Sequence, residues 1–262
     1  MLLLLLLSAF CSMSCAAATL DLTAMQWREK FSREVDYRVE VPVAAQAHYI
    51  ALLKQTLAAA TIETPAQVVL LIDRSPLIQV AFVMLHADKD EWFLVGATSV
   101  STGKVGSYNH FLTPLGVFSH SLENPDYRAE GTLNENHIRG YGLRGMRVFD
   151  FGWQQAQRGW GDGAVSEMRL QMHATDPNVL QARLGSVASE GCIRIPATLN
   201  KFLDIYGLID ALYEHAASEG RNVWILNPDR QPISTPGQYM VIVDSLAQVR
   251  PPWSPSPVQR NK

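Results

Sequence analysis

The sequence predicts an α+β fold rich in β-strands, and three observations lead to this prediction. A chain of 262 residues with 47% hydrophobic side chains is long enough to bury a sizeable core in one large or two small domains. Residues 20–61 and 197–217 carry apolar side chains at helical spacing. Residues 67–95 instead form short runs rich in Val, Ile, Leu and Phe, separated by charged turns. Strands and helices are therefore segregated along the chain.

The N-terminus predicts an export signal. Residues 2–10 are almost entirely apolar, and residues 16–18 are three alanines that suit a cleavage site. We therefore expect residues 1–18 to be a signal peptide that directs the protein to the periplasm or cell envelope. A membrane anchor formed by the same stretch, and lipid attachment at Cys15, stay open as alternatives.

Residues 19–65 are expected to form a helical N-terminal segment that Pro42 divides into two helices. We expect this segment to cap the core rather than bind a partner, because each part carries apolar side chains suited to one buried face. These side chains are Trp27, Phe31 and Val35 before the proline, and Tyr49, Leu52, Leu53 and Leu57 after it.

A strand meander is predicted next, at residues 68–72, 77–83 and 92–95, with a further strand starting at Val117 after the Pro114 turn. Beyond the two predicted helices within 197–217, strands are expected at 223–226 and 239–243, and then a proline-rich tail.

Residues 121–163 are polar and rich in glycine, and are too long for an ordinary connection. We interpret them as a lid or binding flap. An anionic, sugar-bearing polymer is a candidate ligand, although a solvated loop is an equally good interpretation. The side chains that suggest such a ligand are Arg139, Arg144 and Arg147, with Tyr141 and Trp153.

Charge and cysteine content exclude some classes of function. A net charge of −3, from 22 basic and 25 acidic residues, gives no electrostatic support for nucleic-acid binding. Cys11 and Cys15 fall within the predicted signal, so Cys192 is alone in the mature chain and no internal disulfide is expected. The histidines show no spacing typical of a zinc site, and we expect neither a metal nor a cofactor.

The segment from His173 to Arg194 holds the candidate catalytic residues. Cys192 is a candidate nucleophile, and His173 is the base that could take up its proton. Gly191 allows a positive φ and a close approach to substrate, and Arg194 could hold a carboxylate. Taken singly, such a cysteine is more often a small buried hydrophobe, and such a histidine more often a residue of the core or surface.

Two blocks of sequence together resemble the catalytic domain of the L,D-transpeptidase (YkuD-type) family. The first is His173 followed by Ser-Glu-Gly-Cys-Ile-Arg at 189–194, similar to the family's His and Ser/Thr-His-Gly-Cys with Asn or Arg two residues later. The second is Ser-Thr-Gly-Lys at 101–104, followed by Thr-Pro-Leu-Gly-Val-Phe at 113–118. Glu190 stands where many members have histidine, and Ala174 where many have glycine or serine.

The resemblance implies a sandwich-like catalytic domain at about 66–228, followed by a C-terminal extension at 229–262. It also implies action on peptidoglycan stem peptides, through a thioester on Cys192 and release of the terminal D-alanine. The roles it suggests are His173 as base and then acid, the Gly191 and Cys192 amides as oxyanion donors, and Ser189 as the residue that shapes the turn. Ala174 and Arg194 are candidates for contact with substrate. The Ala174 carbonyl is expected to orient His173, with Asp176 as a further candidate for that role.

Two alternatives stay open at this point: an L,D-carboxypeptidase that hydrolyses the same bond, and a murein-binding module without catalysis. The oligomeric state is not predicted.

Overall fold

The computed structural model describes residues 24–63, 65–87 and 91–256. The predicted signal peptide, with Cys11 and Cys15, lies outside these ranges. Within them, no helix has both the length and the apolar character needed to cross a membrane.

The described residues form four α-helices and nine strands. The helices are α1 (24–34), α2 (Val43–Ala59), α3 (Ala197–Tyr206) and α4 (Ala211–Ser218), with a 3₁₀ turn at Gln181–Arg183. The strands are β1 (Gln67–Asp73), β2 (Val80–His86), β3 (Trp92–Ser99), β4 (Gly116–Ser119), β5 (Tyr127–Arg128), β6 (Arg147–Gln157), β7 (Val165–Ala174), β8 (Ile193–Ile195) and β9 (Tyr239–Val243).

The strands form two mixed sheets. The first has the order β3-β2-β1-β9-β4, with β1 and β9 parallel and the other pairs antiparallel. The second has the order β5-β6-β7-β8, with only β7 and β8 parallel. The β-rich α+β class predicted from the sequence is therefore confirmed.

The core lies in two layers, one on each face of the first sheet. One face packs against the second sheet, while the other packs against α2. Because both faces are covered, every residue of β1 and of β2 is buried. The layer between the sheets includes Leu70, Ile72 and Val83 from the first sheet and Phe149, Leu170, Met172 and Ile193 from the second; the layer under α2 includes Leu71, Phe82, Tyr49, Leu53 and Leu57.

The predicted helix boundaries follow from local backbone chemistry. Pro42 immediately precedes α2, where its fixed φ of −61° suits a helix start. Gly207 ends α3 in the left-handed conformation, with φ of 56°, so the 197–217 region forms two helices as predicted.

The single flap predicted at 121–163 is wrong in its second half. Residues 147–157 form β6, and Val148, Phe149 and Phe151 are buried in it. The exposed loop covers about 129–146, and 158–164 is the hairpin turn between β6 and β7. The strand predicted at 223–226 is also wrong, because these residues form a turn that leaves the Trp224 side chain exposed.

The C-terminal residues belong to the first sheet. Strand β9 lies between β1 and β4 and pairs with both. A boundary at residue 228 therefore separates strands that hydrogen-bond to one another, and the sheet is complete only with the region predicted as an extension.

Candidate active site

Pairing of β7 with β8 brings the turn that carries Cys192 next to the strand that carries His173. Met168, Leu170 and Met172 of β7 face the core, so Arg169, Gln171 and His173 face outward. His173 pairs with Arg194 across the parallel ladder. Cys192 immediately precedes β8, and its Sγ lies 3.8 Å from the Arg169 carbonyl oxygen of β7.

His173 is held as a neutral base. Its imidazole is buried, and Nδ1 lies 2.8 Å from the Ala174 carbonyl oxygen, which can only accept a hydrogen bond. The proton therefore sits on Nδ1, and Nε2 is the basic atom. Burial lowers the pKa of His173 to about 4; the hydrogen bond to Ala174 opposes this shift and the charge of Arg194 adds to it.

Cys192 is a free, partly exposed thiol immediately before β8, the strand that pairs with the one carrying His173. Burial raises its pKa, whereas the Gln171 backbone N–H and the charge of Arg194 oppose the rise. At neutral pH the site thus holds a thiol and a neutral imidazole rather than a thiolate and an imidazolium.

The turn before Cys192 requires glycine at position 191. Gly191 has φ of 133°, and a Cβ atom there would lie 2.8 Å from Met168 Cε. Ser189 Oγ accepts a hydrogen bond from the Gly191 N–H at 3.1 Å and donates one to the Cys192 carbonyl. The Gly191 N–H, expected as an oxyanion donor, is thus engaged within the turn, which leaves the Cys192 amide as the candidate for that role.

The second sequence block forms the wall of this turn. The Thr102 carbonyl accepts hydrogen bonds from the Ala188 and Ser189 amides, each at 3.0 Å. The Lys104 amide donates to the Ser189 carbonyl at 2.9 Å, and Ser101 exchanges backbone hydrogen bonds with Arg194. Segments 101–104 and 188–194 therefore run side by side like two strands.

One buried hydroxyl joins all three motif segments. Thr113 Oγ1 accepts a hydrogen bond from the Gly103 N–H at 2.9 Å and donates one to the Gly191 carbonyl at 2.7 Å. The blocks that resemble a family signature in sequence are thus physically one unit around the thiol.

Arg194 contributes to the loop and to the local charge. Its Nη1 donates to the Ala188 carbonyl at 2.9 Å, while its buried Nε has no hydrogen-bond partner among the described residues. Its positive charge acts on both Cys192 and His173.

Asp176 does not orient His173. Its carboxylate instead accepts hydrogen bonds from the Arg139 and Asn178 amides, both at 2.9 Å. The carboxylate anchors the loop at 129–146, and the Ala174 carbonyl alone orients the imidazole.

Tyr141, which the sequence suggested only as part of a flap, covers the base. Its ring lies 4.6 Å from the His173 ring at an interplanar angle of 58°, and the Tyr127 ring lies 6.0 Å from Tyr141. The neighbouring Gly142 packs against Ala174, where a Cβ atom would lie 2.8 Å from the alanine Cβ. The glycines on either side of Tyr141 were the only sequence signal for this close approach.

The prediction that Arg147 lies on an exposed flap is wrong. Arg147 is fully buried, and its guanidinium pairs with Asp126 and Asp210 at 2.6 and 2.7 Å. It therefore does not meet a polymer.

No group of three His, Cys, Asp or Glu side chains in the described ranges could hold a metal ion. Comparison with protein-family models finds no match to this chain, and comparison with curated proteins finds no relative.

Proposed function

We propose that this chain is a cysteine-dependent L,D-transpeptidase that acts on peptidoglycan stem peptides. The observation that carries the proposal is the pairing of β7 with β8, which sets the free Cys192 thiol against the strand that carries a buried, neutral His173, whose Nδ1–H is held by the Ala174 carbonyl. Two separate motif blocks that resemble this family meet around the same thiol.

The first half-reaction forms a thioester. Nε2 of His173 takes the thiol proton while the Cys192 sulfur attacks the carbonyl of the third stem residue, a diamino acid. The Cys192 amide stabilises the oxyanion. The C–N bond to the terminal D-alanine then breaks, and His173 gives its proton to the departing amine.

The second half-reaction transfers the acyl group. An amine of a second stem attacks the thioester carbonyl, His173 removes the amine proton, and the C–S bond breaks. The sulfur regains a proton from His173, so the protein returns to its starting state and needs no cofactor.

Water can replace the amine in this step, and the product is then that of an L,D-carboxypeptidase. The same His173 would activate either acceptor, so the outcome depends on which of them reaches the thioester first. Export to the periplasm or cell envelope, suggested by the N-terminal sequence, fits either product. A murein-binding module without catalysis remains the non-enzymatic alternative.

The decisive experiment is covalent capture at Cys192. Incubation with a tetrapeptide stem or a carbapenem should give a mass adduct on the tryptic peptide that contains Cys192. Cys192→Ser should form no adduct and lose turnover by about 10³-fold or more, since an alcohol is a far weaker nucleophile without a stronger base. His173→Ala should lose a comparable factor, and the two losses should not add.

An adduct that still forms in Cys192→Ser, or release of D-alanine at the parent rate, would contradict the proposal. A purified protein that binds peptidoglycan but forms no adduct would favour the non-catalytic module.

A further inference from the structure

A cavity of about 480 Å³ lies away from the thiol, between α3, the end of the 129–146 loop and the 224–228 turn. Its lining includes Arg128, Arg144, Lys201 and Trp224. The mechanism above uses none of these side chains.

The Trp224 side chain is exposed, and the turn that carries it is anchored to the core. The side chain is 65% exposed, although the next two residues, Ile225 and Leu226, are buried against Tyr213. The Ile225 carbonyl also accepts a hydrogen bond from Arg128. A large aromatic ring that is exposed on a well-anchored turn suits stacking against a flat apolar face, such as that of a sugar ring.

The cavity also carries two cations without a counter-charge. Arg144 and Lys201 are exposed, and neither forms an ion pair with another described residue. The third cation, Arg128, is neutralised by a bidentate pair with Asp204. The free charge at this cavity is therefore positive, which favours a carboxylate-bearing ligand.

This cavity shares a wall residue with a second cavity that Tyr141 lines. Arg128 lines both cavities, and the second, of about 460 Å³, has walls that include Tyr127 and Tyr141. Tyr141 in turn contacts His173. A ligand that occupied both cavities would extend from Tyr141, which contacts His173, past Arg128 to Trp224.

We propose that the Trp224 cavity binds the glycan-linked part of a peptidoglycan strand, with a sugar ring on Trp224 and a stem carboxylate between Arg144 and Lys201. This inference rests on the proposed function, because it takes the extended ligand to be the polymer that carries the reacting stem. The cavity then selects polymer over free peptide and does no chemistry itself.

The test is a pelleting assay with purified, insoluble peptidoglycan and the Cys192→Ala protein, which cannot turn the polymer over. Adding Trp224→Ala should weaken binding by about tenfold, the effect typical of a buried aromatic anchor, while Trp224→Phe should keep most of it. Arg144→Gln with Lys201→Gln should weaken binding at low salt and flatten its salt dependence. Arg33→Gln with Arg221→Gln removes the same charge elsewhere on the surface and should have no effect.

A competition assay shows whether the cavity recognises the sugar or only the negative charge of the ligand. A soluble disaccharide-peptide should displace the polymer better than polyglutamate, which is anionic but carries no sugar. Equal displacement by both would overturn the sugar assignment. Binding that is unchanged in the Trp224→Ala protein would overturn the site as a whole.

A free tetrapeptide stem keeps this test separate from the proposed chemistry. In the protein with an intact thiol, Trp224→Ala should form the Cys192 adduct from free stem at the parent rate. An adduct without cavity-dependent polymer binding contradicts this inference alone. Cavity-dependent binding without any adduct contradicts the proposed catalysis alone.

Discussion

The charge state of the Cys192–His173 pair follows from burial. Both groups lie where ionisation is costly, so the pKa of the thiol rises and that of the imidazole falls to about 4. In the proposed reaction such a pair would act by general-base catalysis during attack, in contrast to cysteine enzymes that hold a preformed thiolate. The positive charge of Arg194 opposes the rise in the thiol pKa but does not overcome burial.

Burial of His173 also predicts how stability depends on pH. In the unfolded chain the pKa of histidine is about 6.5, so between that value and about 4 the unfolded state binds more protons than the folded state. The free energy of unfolding should therefore fall as pH drops through this window, by about 3 kcal/mol from this residue.

The measurement is denaturant unfolding at pH 7 and at pH 4.5, for the parent and for His173→Gln. The variant should lose less stability on acidification than the parent does. His48→Gln, which changes an exposed histidine on α2, should behave like the parent. Equal losses in the parent and His173→Gln would show that His173 is not buried in its neutral form.

His173 and Cys192 could be proposed as candidate residues from the sequence, because the spacing of a motif can be read directly. The Tyr141 contact and the Thr113 hydrogen bonds could not be predicted, since both depend on where loops return in space. Asp176 was misjudged for the same reason: it is close to His173 in sequence, but its oxygens are occupied by amides of other segments.

At the scale of elements, β6 explains why the predicted flap was too long. Its sequence, Arg-Val-Phe-Asp-Phe-Gly-Trp, mixes charges and glycine with apolar residues, which conceals a strand. The register shifts between Asp150 and Trp153, so the strand is also irregular. Asp150 is buried there, and hydrogen bonds from the Arg169 and Gln171 side chains offset the cost of burying its carboxylate. The helices were easier to predict, because apolar spacing and the signals Pro42 and Gly207 are local.

The loop at 129–146 and strand β6 should respond differently to mutation. Residues 132–137 are exposed, so replacing them with a short Gly-Ser link should change the free energy of unfolding by under about 1 kcal/mol. Turnover should nevertheless fall, because the loop places Tyr141 over His173. Thermal unfolding and a D-alanine release assay check both expectations.

Phe149→Ala in β6 is the matched comparison. This side chain is fully buried, so its truncation should cost about 3–5 kcal/mol. If the loop replacement costs as much as Phe149→Ala, then the loop is part of the folded core.

At the scale of the whole molecule, a buried charge cluster ties the second sheet to the helices. Arg147 on β6 pairs with Asp126, which precedes β5, and with Asp210, which precedes α4. His120 also hydrogen-bonds to Asp126 from the end of β4. The sequence could not reveal this cluster, because its members are far apart along the chain and each alone resembles a surface residue.

Truncation of Arg147 should therefore be severe. Arg147→Ala leaves the Asp126 and Asp210 carboxylates buried without their main counter-charge, at a cost of about 3–5 kcal/mol. Arg158→Ala breaks an exposed pair with Asp162 and should cost far less, because solvent screens that pair. Equilibrium denaturation of both variants tests this, and similar small losses would mean that the cluster adds little to stability.

The place of β9 in the first sheet has a consequence for how the protein is made. Val69 pairs with Tyr239, so β1 waits for a partner strand that a ribosome delivers only after all the strands between them. Until then β1 has an open edge, and the sheet cannot be completed around it. A chain whose residues 239–243 have not yet been made is therefore unable to complete its first sheet, however well its earlier strands pair.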